Sequence, residues 1–139
     1  MSRDVEYDRK VQWLRRYQTA IREVDILTGE VDQMRAMAER VTPRLSGVPG
    51  GSSSSDSLPR AVERIVEAQH KLECEINHML ETKSEISTLI GSVKNDRPRE
   101  ILRRRYISGE KWEAIACAMD MDYRWLLRIH HKIVANLDI

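Results

Sequence analysis

Eleven residues between positions 58 and 93 stand at alternating steps of four and three: Leu58, Val62, Ile65, Gln69, Leu72, Ile76, Met79, Lys83, Ile86, Ile90 and Val93. The run holds for five heptads, and all but Gln69 and Lys83 are apolar, so the spacing predicts one long helix with one apolar seam. Such a helix runs roughly 50 Å. A small globular domain cannot wrap a rod of that length, so another helix has to cover the seam.

The natural cover lies upstream. Leu14, Tyr17, Ile21, Val24, Leu27, Val31, Met34, Ala38 and Val41 form a second stripe, with an extra three-residue step between Val24 and Leu27 that would locally perturb a supercoil. Gly29 weakens this helix by about 1 kcal/mol relative to alanine. Between the two stripes, residues 42–57 hold three of the six glycines, two of the four prolines and the run Ser52-Ser53-Ser54-Ser55, the composition of a flexible connector. That connector lets the helices fold back as a hairpin or pair with a second subunit. The polar seam positions Gln69 and Lys83 can set register in either arrangement. A homo-oligomer, in the first instance a dimer, is expected.

The last forty or so residues read differently. Pro98 suits the first turn of a helix that Ser108-Gly109 ends. A short helix over 112–119, a turn at Asp120-Met121-Asp122 and a second helix over 123–137 then follow at helix-turn-helix spacing. Ala116 is small enough for the two helices to cross closely. Ile115, Met121, Leu126, Ile129, Ile133 and Leu137 recur as one buried stripe, and the Asp122 carboxylate can cap the second helix. Tyr123, Arg124, Leu127, Arg128, His131 and Lys132 are left facing outward.

Net charge over the whole chain is only +1, but its distribution is uneven. Residues 97–139 carry nine basic and six acidic side chains, net +3, whereas 58–96 carry five and seven, net −2. The positive excess therefore lies with the helix-turn-helix, as binding to phosphate requires. Tyr123, Arg124, Leu127 and Arg128 are expected in a major groove, where arginine matches guanine O6 and N7. Lys111, His131 and Lys132 are expected on phosphates. The expected partner is double-stranded DNA.

Arg-Glu-Ile-Leu at 99–102, Arg105-Tyr106, Gly109, Trp112-Glu113-Ala114-Ile115-Ala116, Tyr123-Arg124 and Arg128-Ile129-His130 resemble region four of bacterial sigma factors. With the segment from Thr42 to Gly51 and the helix after it, nearly the whole chain is similar to the ArpU/RinA-like regulators of phage late-gene transcription. The chain departs from the sigma pattern at Asp120, where the turn usually has a left-handed glycine, and at Asp122, where the cap is usually serine. The resemblance implies an all-α transcription regulator of phage or prophage origin, with RNA polymerase as a further partner. Two other classes stay open: a recognition subunit of a phage DNA-packaging machine, and a coiled-coil adaptor that does not bind DNA.

Other constellations point to no chemistry. His70, Cys74 and His78 share one helix face, but it lies opposite the seam and lacks a fourth ligand, so no metal is expected. Asp120 and Asp122 suit capping better than acid-base work, and no glycine-rich phosphate loop or nucleophile elbow is present. Neither an enzyme nor a cofactor is expected. Cys74 and Cys117 stand alone and the first residues form no secretory apolar run, which suggests a cytosolic chain with reduced thiols, and the resemblance implies that the cytoplasm is that of a bacterial host cell. No apolar run approaches the roughly 20 residues needed to span a bilayer. The expected architecture is a helical hairpin over 1–96 followed by a DNA-binding helix-turn-helix over 97–139.

Overall fold

The computed structural model describes residues 2–46 and 57–139, and they are all-helical, with no strand among them. Helix α1 (Ser2–Ser46) and helix α2 (Ser57–Gly91) form the long hairpin. Helix α3 (Asp96–Leu102) widens into a π-helical turn (Arg103–Ile107), and α4 (Trp112–Ala118) and α5 (Tyr123–Ala135) follow. Helix α1 extends through 42–46, the first part of the expected connector. Residues 47–56 of that connector lie outside the described residues.

Two compact units make up the chain: Met1–Ala20 with Met79–Ile139, and Ile21–His78. In the second, Leu27 and Val31 of α1 are buried as their stripe predicts, while Leu58, Ile65, Leu72 and Ile76 of α2 are half-buried. Val62 and Val66 remain 49% and 57% exposed. A cavity of about 200 Å³ opens beside Met34, Met37 and Ala38 of α1 and Leu58, Ala61 and Arg64 of α2.

The first unit contains more than a helix-turn-helix. Leu14 of α1 and Ile86 and Ile90 of α2 share one core with Leu102, Tyr106, Val134 and Leu137, and Tyr7, Val11 and Tyr17 pack around it. Two seam positions differ from the heptad reading: Val62 in the second unit, where neighbouring Ala61 is the half-buried residue, and Lys83 in this one. Lys83 is exposed, with its ammonium 5.8 Å from the Tyr17 ring centroid, and Thr82 is the residue that is buried. The seam thus steps from Met79 by three to Thr82 and by four to Ile86, which breaks the strict alternation locally but keeps these side chains on one helix face and leaves the lysine in water.

Where α3 ends, α1 completes it. Ser108 N–H donates to Arg103 O at 3.0 Å and Glu110 N–H to Arg104 O at 2.9 Å, closing the widened turn. The Gln18 amide of α1 donates to the free carbonyls of Tyr106 and Ile107, both at 3.2 Å. Gly109 permits this approach. Its φ is +70°, and a Cβ there would stand 2.8 Å from Gln18 Oε1.

Gly109→Ala is therefore expected to cost about 2 kcal/mol, from left-handed strain and displacement of the Gln18 amide. Urea unfolding checks this. The Gly109→Ala and Gln18→Ala losses should be less than additive in the double variant, because both remove the same two hydrogen bonds. Full additivity would show that glycine and glutamine act separately.

Candidate nucleic-acid interface

The short helices at the end of the chain are held by a small core of their own. Ile101, Ile115, Ala116 and Leu126 are buried together, with Trp112, Met119, Met121, Ile129 and Ile133 packed around them. Ala116 sits where α4 crosses α5, as its size suggests. The turn between them forms at Asp120, whose φ is 51°, and Met121 N–H donates to Ala116 O at 2.9 Å. Aspartate tolerates the left-handed region better than most side chains. Asp122 then caps α5, its carboxylate accepting from Trp125 N–H at 3.2 Å.

Capping and core packing fix which side of α5 faces water. Leu126, His130 and Val134 point inward, and Arg124, Arg128 and Lys132 are exposed. Lys111, just before α4, is also exposed, and among the described residues none of these four cations is paired with a carboxylate. Tyr123 is 41% exposed and Trp125 51%. Leu127 is half-buried rather than fully outward. It lines a cleft of about 490 Å³ whose other walls include Tyr7, Gln12 and Arg15 of α1 and Trp112 of α4. His131 is exposed, but its imidazole stacks on Tyr7, with ring centroids 4.3 Å apart.

His130 anchors α5 from behind. Its Nε2 lies 2.6 Å from the Tyr106 hydroxyl and its Nδ1 3.3 Å from the Tyr7 hydroxyl. The Trp112 and His130 rings meet in an edge-to-face arrangement with centroids 4.5 Å apart, and the Arg105 guanidinium lies 4.6 Å from the Trp112 ring centroid. A neutral imidazole has one N–H and one lone pair, so one tyrosine hydroxyl donates while the other accepts. Burial, reinforced by the positive charges of Arg105, His131 and Arg15, lowers the His130 pKa to about 4. Burial also raises the Tyr106 and Tyr7 phenols, so all three rings are neutral in neutral solution.

Tyr7, Gln12 and Arg15 are absent from the site expected from the sequence. Tyr7 and Val11 do continue the α1 stripe back from Leu14 by steps of three and four, so the buried face could have been extended to them. Nothing in that spacing says that the face meets α5. Of the cysteine and histidine row on α2, Cys74 Sγ and His70 Nε2 are 3.9 Å apart, and no group of three or more His, Cys, Asp or Glu able to hold a metal ion occurs among the described residues.

Because the folded state holds His130 neutral with a pKa near 4, below the ordinary 6.5, the unfolded chain binds more protons between those values. Stability from this site is fully present above about pH 6.5 and is lost as pH falls toward 4, by on the order of 3 kcal/mol in total. Thermal melts across that range check it. His130→Gln, which keeps hydrogen-bonding groups but does not titrate, should be less stable at neutral pH and show a flatter profile. Parallel profiles for the two proteins would remove His130 as the source.

No protein-family model matches this chain, and no curated protein or solved structure matches it either, so the reading of the site rests on its residues.

Proposed function

We propose that this chain is a DNA-binding transcription regulator of phage or prophage origin that reads duplex DNA through α5 and performs no chemistry. One observation carries the reading. Arg124 and Arg128 stand one helical turn apart, exposed and without carboxylate partners, on the side of a capped helix opposite buried Leu126 and His130. Fixed backing matters because base readout needs donors held in place. Lys132 and Lys111 flank this row as phosphate contacts, and His131 presents the edge that Tyr7 leaves free. RNA polymerase enters as a second partner through the resemblance to sigma region four alone.

The proposal includes a second copy as partner. It is supported by the seam residue Val62 and its neighbour Val66, which leave an exposed apolar strip on α2, and by Ile26 and Met37 of α1, 55% and 65% exposed. Two joined copies would present two recognition helices to two half-sites, the usual logic of helix-turn-helix dimers.

Binding of a labelled duplex should weaken as salt rises, because phosphate contacts release counterions. Arg124→Ala or Arg128→Ala should each cost on the order of 1–3 kcal/mol on a sequence selected from random duplexes and relax preference at one position. Lys132→Ala should weaken all sequences about equally. No binding even at low salt would reject this reading in favour of an adaptor.

Light scattering tests the second copy. The chain should exceed monomer mass, and Val62→Glu with Val66→Glu should return it to monomer with helicity retained. A wild-type monomer at high concentration would remove the dimer from the proposal.

A further inference from the structure

Helix α1 places a row of polar side chains beside α5 that the hairpin does not need. Tyr7, Val11 and Leu14 turn into the core, and Asp8, Gln12 and Arg15 follow each of them by one residue, so they form a second row along the helix. All three are exposed, and all three line the cleft of about 490 Å³. The opposite wall of that cleft is the Leu127 and His131 flank of α5, and Trp112 contributes at the start of α4.

The location carries the argument. When a helix-turn-helix docks, its second helix enters the major groove and its first crosses the backbone. A strand passing over the beginning of α4 and alongside Leu127 and His131 would therefore pass the mouth of this cleft. Arg15 stands there exposed and outside every ion pair formed by the described residues. Arg15 and Arg105 both lower the proton affinity of His130, and both act on the Tyr106 phenol in the direction expected of cations. Two cations therefore act on the His130 and Tyr106 lining of the cleft, Arg15 from its wall, with Asp8 as the opposing charge.

We propose that the cleft between α1 and α5 is a subsite for a backbone phosphodiester of duplex DNA, in which Arg15 supplies the charge and Gln12 an amide donor. The inference rests on the DNA-binding reading and adds the first helix of the chain to the interface. Asp8 limits the affinity of the subsite, since its carboxylate lines the same cleft as the incoming phosphate.

The full-length chain and a labelled mixed-sequence duplex test this by fluorescence anisotropy over a salt series. Arg15→Gln should weaken binding about three- to tenfold and lower the steepness of the log affinity against log salt plot by about one phosphate contact, whereas Arg15→Lys should keep that steepness. Asp8→Asn should move affinity the other way. Thermal melting of each variant should stay close to wild type because these side chains are exposed. If Arg15→Gln and Asp8→Asn both bind with wild-type affinity and salt dependence while Arg128→Ala weakens binding, the subsite is rejected and the recognition helix stands. If the wild-type chain ignores the duplex even at low salt, both proposals fall.

Discussion

Tyr106 and His130 meet where three helices converge, and the arrangement of the first unit follows from what must be buried around them. Helices α3, α4 and α5 enclose only a small core around Ile101, Ile115 and Leu126. A module of this size buries too little surface to be stable by a wide margin. Its other apolar side chains, Leu102, Tyr106, Val134 and Leu137, point away from that core. They are covered by Leu14 of α1 and Ile86 and Ile90 of α2. The beginning of one long helix and the end of the other therefore complete the helix-turn-helix.

A polar group at the centre of such a junction could have been a weakness. Here its partners are in place: among the described residues no buried side-chain nitrogen or oxygen lacks a hydrogen-bond partner. The imidazole ties α5 to α3 through Tyr106 and to α1 through Tyr7. Lys10 strengthens the same joint by donating to the carbonyls of Ala135 and Leu137 at 3.1 and 2.8 Å, past the last intrahelical hydrogen bonds of α5. Directional contacts of this kind fix the rotation of α5 about its own axis, which apolar packing alone leaves less defined.

Much of this could be read from the sequence wherever the cause is local. The cap at Asp122, the small Ala116 and most positions of the apolar stripes depend on residues a few positions apart, and each has a spacing that predicts it. Lys83 shows where heptad spacing stops being informative. Thr82 and Lys83 satisfy the local period about equally well, and the preference of the ammonium for water decides between them. The expected boundary near residue 96 marks a change of motif. The compact units follow packing instead, which groups 1–20 with 79–139. Periodicity states that Tyr7 and Val11 belong on a buried face, but it contains no information about which distant helix covers that face. The exposed arginines of α5 were legible as candidates, whereas Arg15 gains its interest only from the cleft beside it.

The contact between Tyr7 and His130 joins residues 123 positions apart. Closing a loop of that length in an otherwise open chain is entropically costly, and the hairpin changes the route. Once α1 lies against α2 beside Ile86 and Ile90, only the stretch from Ile90 to His130, about 40 residues, remains to be closed. On the logarithmic dependence of closure entropy on length, this second step is cheaper by about 1 kcal/mol than direct closure. The order of assembly is thereby biased. Long helices that zip together first act as a splint, and the three short helices condense against a surface already prepared by the earliest part of the chain.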